Sequence, residues 1–490
     1  MPNSAVGRDG SMISDHEKNE QAYQNGVLVD EAAAGSFTRE EERRVLIKID
    51  CVVLPMMCLV FFFQYLDKQS LSYASIFGLI EDLKLEGSQT TGIRIPFYLL
   101  DESATPYEVC GHDYVHHFLE VPPKSPSSDR FAAVRFMLGF AEGAVSPAFV
   151  TISSIWYRKK EHPMRIGAWI TMNGFAQVVG SLLMYGIGKN ATLKLAPWRT
   201  LFLLCGALTM ACGIAFYIIM PSGPEKAWFL TAREKEVLTM RLALDHEGGD
   251  KTNFSMAQLK EAMLDAKAWF SFAFGVLVTM PSPVLTFASL VLNNIGYDNF
   301  HTMLFTSPSG AVQIIFIWLG VFGCLIFPKY RSAVVLALIV PPLVGNFLLL
   351  KLPSSAGWGI IAASWLASSI SSIMSILLSL SASNVKGNTK RAVVNTMFFI
   401  GYCAGCIGAP QLWTSHAAPR YFEGVVTAIV NWFILIVAMV VYWYLCHREN
   451  GRRDKMMMTG AVMGSEGEGR MTEERADVTD MEDLWFRYNC

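Results

Sequence analysis

The stretch Ile49-Asp-Cys-Val-Val-Leu-Pro-Met-Met-Cys-Leu-Val-Phe-Phe-Phe-Gln-Tyr-Leu66 holds a single charge, and apolar sequence resumes after Asp67-Lys68 and continues to Phe77. About 20 apolar residues in a helix cross the roughly 30 Å hydrocarbon core of a bilayer, so the run reads as a membrane-spanning helix. Nine more runs have the same character: Phe131 to Ile155, Ile166 to Ile187, Leu201 to Met220, Trp269 to Val291, Gly310 to Phe327, Ser332 to Leu350, Trp358 to Leu380, Val393 to Leu412 and Val425 to Cys446. The expectation is an all-α polytopic membrane protein of about ten spans. Composition agrees: 52% of the 490 residues are hydrophobic, 17% are charged and the mean hydropathy is +0.33, against about 25% charge in a soluble domain. Forty Lys plus Arg against 42 Asp plus Glu leave a net charge of -2. No strong field exists to draw in nucleic acid, and disorder or a coiled coil does not describe the whole chain.

Most of the ten cysteines, Cys51, Cys58, Cys205, Cys212, Cys324, Cys403, Cys406 and Cys446 among them, lie in apolar runs or at their ends, where a thiol behaves as a small hydrophobe. The CxxC spacing of Cys403 and Cys406 sits in an apolar helix with no second pair nearby, which argues against a metal or redox role. The first 44 residues are polar and contain no apolar core of a signal peptide. The first span is expected to serve as the targeting signal.

Lys and Arg near the span ends set orientation. Arg39, Arg43, Arg44 and Lys48 precede the first span; Arg158, Lys159, Lys160 and Arg165 separate the second and third. Lys329 with Arg331, then Lys386, Lys390 and Arg391, fill alternate later loops, and Arg448, Arg452, Arg453 and Lys455 follow the last span. The intervening loops hold few cations. Both termini and the long loop from Met220 to Trp269 are therefore predicted to face the cytoplasm. In that loop Thr231-Ala-Arg-Glu234 and Ser255-Met-Ala-Gln258 have capping-box form, and predict two short amphipathic helices joined through Gly248-Gly249. The reading preferred for these helices is a plain connection between two membrane halves. The organisation is a disordered tail (1–44), an amino-terminal bundle (45–220), a cytoplasmic linker (221–267), a carboxy-terminal six-helix bundle (268–446) and a polar, disordered tail (447–490). Gly139/Gly143 and Gly401/Gly405 have the GxxxG spacing that lets helices approach closely.

Ionisable residues inside a bilayer cost at least about 2.5–3.5 kcal/mol on insertion scales and mark function. Asp67 and Lys68 interrupt the first run, with Gln64 on the same face at i+3 and i+4; the competing reading is that the pair ends a shorter helix. Arg135 and Glu142 stand two turns apart on one face, about 10 Å along the axis, a spacing suited to a cation for an anionic ligand and a carboxylate for a proton. Arg135 could instead snorkel at the membrane edge. Asn173 and Gln177 are i,i+4 on one face, and Asn395 and Tyr402 share another helix. Ser364, Ser368, Ser371, Ser372 and Ser375 line one helix and read as packing residues. No P-loop, HExxH, GxSxG or metal-spaced His/Cys set occurs, so neither catalysis nor a cofactor is expected.

The segment Arg135-Phe-Met-Leu-Gly-Phe-Ala-Glu-Gly-Ala-Val-Ser-Pro147 resembles the fourth-helix motif of the major facilitator superfamily. Tyr65-Leu-Asp-Lys-Gln-Ser-Leu-Ser-Tyr-Ala74, Trp156-Tyr-Arg-Lys-Lys-Glu-His-Pro-Met-Arg165, Leu195-Ala-Pro-Trp-Arg199, Pro308-Ser-Gly-Ala-Val-Gln313, Ala382-Ser-Asn-Val-Lys-Gly387, Gly401-Tyr-Cys-Ala-Gly405 and Asp477-Val-Thr-Asp-Met-Glu-Asp483 resemble the fungal allantoate permease-like branch of its anion:cation symporters. The likeness runs from Glu41 to Cys490 except for Gly92 to Arg130. It implies two helical bundles around one central site and transport by alternating access. The implied cargo is a small organic anion such as allantoate, nicotinate or pantothenate, the implied coupling ion a proton and the implied location the plasma membrane. The departure lies at residues 92–130. There Leu100-Asp-Glu-Ser-Ala-Thr-Pro-Tyr-Glu-Val and Pro122-Pro-Lys-Ser-Pro-Ser-Ser-Asp129 stand where the family's second and third helices belong. The expectation is an incomplete amino-terminal bundle arising from a splicing or gene-model difference. Two other readings remain at this point, a transporter-derived membrane sensor and a truncated, non-transporting variant.

Overall fold

A computed structural model describes residues 37–77, 79–82, 145–158, 160–190, 195–243, 254–284, 298–353, 356–412, 422–458 and 478–490. Arg135, Glu142, Gly139, Gly143, Gly248, Gly249 and residues 92–130 lie outside them. Among the described residues all regular structure is helical. Eight helices among the described residues are long and apolar enough to cross a membrane, or nine if one bent pair counts as a single span; two of the expected ten runs, Phe131 to Ile155 and Trp269 to Val291, are described only in part.

The first helix, α1 (Arg39–Ile76), opens at a capping box. The Thr38 hydroxyl accepts from the Glu41 amide at 3.2 Å, and the Glu41 carboxylate accepts from the Thr38 amide at 2.8 Å, which satisfies two donors the helix end would leave bare. Glu40, Glu41 and Glu42 complement the positive end of the helix dipole. Thirty-eight residues rise about 57 Å, more than a bilayer's thickness, so the charged first turns project beyond the hydrocarbon. The helix also continues past Asp67 and Lys68, so this pair does not end a shorter span. Next come α2 (Leu79–Asp82), α3 (Val145–Trp156), α4 (His162–Lys189) and α5 (Pro197–Ile219), then α6 (Ala232–Ala243) and α7 (Met256–Leu264) in the long loop. The second half holds α8 (Ala266–Thr279), α9 (Asn299–Ile326), α10 (Arg331–Lys351), α11 (Gly357–Ala367), α12 (Ile370–Ser383), α13 (Asn388–Gln411) and α14 (Phe422–Met458).

The two halves meet where α4 lies antiparallel on α9. Gly167 sits against Val321, Gly174 against the Gly310 backbone, and the Tyr185 ring meets Phe300 with centroids 6.0 Å apart. Glycine at both crossing points lets the two backbones touch. A second close contact is that expected from Gly401 and Gly405: they press on the Phe272 backbone and on Val276 and Thr279 of α8, while Gly275 faces the α13 backbone at Phe398 and Tyr402. Leu319, Phe322 and Ile326 of α9 and Val437, Val440, Val441 and Tyr444 of α14 point outward and exposed. Apolar patches of that extent suit lipid, not water. The single run Trp358 to Leu380 becomes α11 and α12, broken at Ser368 and Ser369, whose hydroxyls bond back to Trp365 O and Leu366 O.

The cations of alternate loops gather at one end. Because α4 runs antiparallel to α9, the His162 end of α4 lies beside the Ile326 end of α9 and the start of α10. In the first half, fully buried Arg241 of α6 donates to Glu42 at 3.0 Å and to Glu161; Lys48 pairs with Glu234 at 2.8 Å and Arg165 with Asp50 at 2.8 Å. In the second half, fully buried Lys390 pairs with Glu261 of α7, Asp265 and Asp480 at 2.8, 2.9 and 2.8 Å. The linker helices thus do more than connect: α6 is tied to the first half and α7 to the second. The Thr231–Glu234 box forms in full, but Gln258 departs from its box. Its amide donates to Ser255 Oγ, while its side-chain oxygen receives the Lys390 amide at 3.1 Å, because the α13 backbone is a nearer donor.

The carboxy-terminal tail differs from the disorder expected of it. Residues 447–458 continue α14, and residues 478–490 pack on the cation-rich end of the second half. Arg453, 2% exposed, donates to Asp483 O, Phe486 O and Asp480 O at 3.1, 2.8 and 2.9 Å. Helix continuation past Cys446 places that guanidinium, which polar composition alone does not reveal.

Candidate functional site

Residues singled out in the sequence converge on a polar layer midway along the helices, where the halves face each other. Neighbours on a helix point about 100° apart, and Asp67 and Lys68 use that divergence. Asp67, 8% exposed, turns into its own half, where its carboxylate accepts from Thr209 Oγ1 of α5 at 2.8 Å. Lys68 turns across to the other half, and its ammonium donates to the Tyr402 hydroxyl of α13 at 3.0 Å. Both Lys68 and Tyr402 are half-buried. The bond joins residues 334 positions apart and depends on the approach of the two halves.

The next residue, Gln69, ties α1 to α4: its side-chain amide donates to Gln177 Oε1 at 2.7 Å and to Tyr65 Oη at 3.2 Å. Tyr73 Oη adds a bond to the Gln177 carbonyl at 3.2 Å. Asn173 lies one turn away, 5% exposed, and its Oδ1 has no hydrogen-bond partner among the described residues. Across the interface, Gln313 of α9 is fully buried, accepts from Ser371 Oγ at 3.0 Å and keeps its amide nitrogen unbonded among the described residues. Asn395 of α13, 3% exposed, likewise has an unbonded Oδ1. A buried polar atom without a partner costs about 1–3 kcal/mol. Two such atoms, Asn173 Oδ1 and Gln313 Nε2, lie near the crossing of α4 and α9 and leave hydrogen-bonding capacity there.

The structure therefore brings Asp67, Lys68, Gln177 and Tyr402 into one layer, with Asn173 one turn from Gln177; Asn395 stands seven residues before Tyr402, about 10 Å along α13 towards Lys390. Gln69, Thr209 and Gln313 join them, although the sequence reading singled out none of the three. Their available signal was a polar residue inside an apolar run. Of the serines, Ser364, Ser368, Ser372 and Ser375 bond to carbonyls of the preceding turn, as packing residues do, and Ser371 alone of the five reaches Gln313. Cys403 and Cys406 are buried thiols.

Comparison with known proteins agrees with this architecture. The sequence pattern of the Major Facilitator Superfamily matches residues 119–410. A Schizosaccharomyces pombe protein described as uncharacterized transporter C417.10 is 34% identical over 92% of this chain and 90% of its own. The allantoate permease of Saccharomyces cerevisiae is 30% identical over 98% of this chain and 92% of the permease. Among solved structures, the proton:xylose symporter XylE superposes with a TM-score of 0.61 at 14% identity, covering 82% of this chain and 96% of XylE, which speaks to the fold alone. The two facing helical halves, the polar layer between them and near-full-length similarity to fungal permeases lead to one conclusion: the chain is a multi-pass membrane protein of the Major Facilitator Superfamily, in its fungal allantoate permease-like branch.

Proposed function

We propose that the protein is a proton-coupled symporter of a small organic anion of the allantoate, nicotinate or pantothenate kind, working by alternating access at the plasma membrane with both termini in the cytoplasm. The observation that carries this reading is the Lys68–Tyr402 bond between the halves. A carboxylate is a stronger acceptor for an ammonium than a neutral phenol is, so an anionic substrate would displace Tyr402 from Lys68 and take its place. Substrate binding would thereby be linked to the relative position of the halves, and a ligand shifts such an equilibrium only through unequal affinity for its two states. Asn173, Gln177 and Asn395 would hold the rest of the molecule. Asp67 and Glu142 supply the carboxylates for the proton, and Arg135 a second cation. The similarity to allantoate permease makes allantoate the first substrate to try.

The experiment is uptake of labelled monocarboxylates, allantoate first, in cells with no background uptake, comparing Lys68→Gln with the parent. Loss of saturable uptake in Lys68→Gln, with protein at the membrane in normal amount, is the expected result. Unchanged affinity and rate in that variant would remove Lys68 from the binding site. Uptake of none of the anions by the parent would refute the substrate class.

A further inference from the structure

Among the described residues, the tail segment 478–490 is tied to the second half, and the ties meet at the inner end of α13. Lys386, just before that helix, pairs with Asp483 at 2.5 Å, and Lys390 within it pairs with Asp480 at 2.8 Å. Thr479 Oγ1 donates to Glu261 of α7 at 3.0 Å. Asn384 exchanges two bonds with Asn489, Asn450 of α14 holds both the Tyr488 amide and its carbonyl, and the Ser332 amide of α10 donates to the Cys490 carbonyl. Tyr488 Oη donates to Asp480 at 2.7 Å, and burial together with that carboxylate keeps the phenol protonated well above its ordinary range. Tyr488 is buried against the core with Phe486 and Cys490 beside it, but the directional recognition is polar, and its reader is Arg453, whose planar fork takes three backbone carbonyls of the segment. A short segment held mainly by ion pairs and backbone hydrogen bonds, with few apolar side chains, is one that can be exchanged.

We propose that residues 478–490 form a releasable strap, and that the socket of Lys386, Lys390 and Arg453 regulates the central site by holding the inner end of α13. This rests on the assignment of Asn395 and Tyr402 to that site. From Lys390 to Tyr402 is about 18 Å along one helix, with Asn395 between them. The Gly275, Gly401 and Gly405 contacts lock α13 to α8, so the two move together. Docked, the strap ties α13 and α8 to α7, α10 and α14. Released, it leaves this end of α13 held by Gln258, Glu261, Asp265 and the Ser255 amide on Thr389, and the layer opens more readily from the cation-rich side.

Two accessibility measurements on the purified full-length protein in nanodiscs test this. One is maleimide labelling of native Cys490, read by mass spectrometry of the terminal peptide; the other is labelling of a cysteine at Asn395→Cys by a membrane-impermeant maleimide. Arg453→Ala and Asp480→Asn are compared with Arg453→Lys, and a synthetic peptide of residues 478–490 is added in excess to a chain ended at residue 477. The expected result is at least tenfold faster Cys490 labelling in Arg453→Ala, a smaller rise in Arg453→Lys, faster Asn395→Cys labelling in the shortened chain, and return to the slow rate when the peptide is added. Unchanged Cys490 labelling in Arg453→Ala overturns the socket. Faster Cys490 labelling with Asn395→Cys accessibility unchanged overturns the control of α13. If both labelling rates respond and no anion is transported, the strap stands and the symport reading fails.

Discussion

A methyl group added at the crossing of α4 and α9 should loosen the two halves by a predictable amount. The Cβ of Gly174→Ala would lie 2.5 Å from the Gly310 carbonyl oxygen and 2.6 Å from Ile314 Cγ1, where ordinary contact begins at 3.4 Å. The oxygen belongs to a backbone and cannot rotate away, so the helices must part by about 0.9 Å. Overpacking of this kind costs about 1–3 kcal/mol. Alanine also gains about 1 kcal/mol over glycine within a helix, which would hide part of the loss. Gly186, on the same helix with nothing within 4 Å of its added Cβ, provides the reference, since Gly186→Ala carries the propensity gain without the clash. Unfolding of the purified protein by titration with a denaturing detergent should place Gly174→Ala about 1–3 kcal/mol below Gly186→Ala. Gly310→Ala should behave like Gly174→Ala, because its Cβ would overlap the Gly174 carbonyl oxygen. The double variant should cost clearly less than the two losses added, since the separation made for one methyl serves the other. Equal stability of Gly174→Ala and Gly186→Ala would refute the contact.

Other outcomes follow from the same structure. Glu142→Gln should abolish proton-driven accumulation while sparing exchange of bound substrate, because a neutral amide cannot cycle a proton; an unchanged pH dependence of uptake would rule Glu142 out. Burial alone would raise the Asp480 carboxyl, but Lys390, the Tyr488 hydroxyl and Lys267 together hold it below its ordinary value. A depressed folded value stabilises docking in full above the unfolded carboxyl near 3.9 and loses that contribution only as pH falls through the lower folded value. Hydrogen exchange in residues 478–490 should therefore be the same at pH 7 and pH 5 once corrected for intrinsic rates, and early release at pH 5 would contradict the ion-pair assignment. Finally, replacing residues 92–130 by an ordinary apolar helix pair should raise substrate accumulation, since rocking of two related halves needs both halves whole; equal accumulation by the two chains would show that segment to be harmless.

The class of fold was legible in sequence because the bilayer imposes one requirement on every span: about 20 residues whose backbone bonds close within the helix. Composition alone states that requirement, and the family motifs around Arg135 and Gly401 add the two-bundle plan. Candidate polar residues were legible for the same reason, since Asp67, Lys68, Asn173 and Gln177 stand out against apolar neighbours. Their partners were not, because Lys68 and Tyr402 meet across 334 positions, and Thr209 and Gln313 gain meaning only once α5 and α9 are placed beside α1 and α12. The tail shows the division most clearly. Asp480, Asp483 and Arg453 read as polar and solvated in one dimension; in three, helix continuation past Cys446 brings a buried guanidinium under three carbonyls and sets Asp480 on Lys390. Hydropathy is a property of a residue and its near neighbours. Desolvation of a charge is decided by what the fold packs around it, and that was settled only by the tertiary structure.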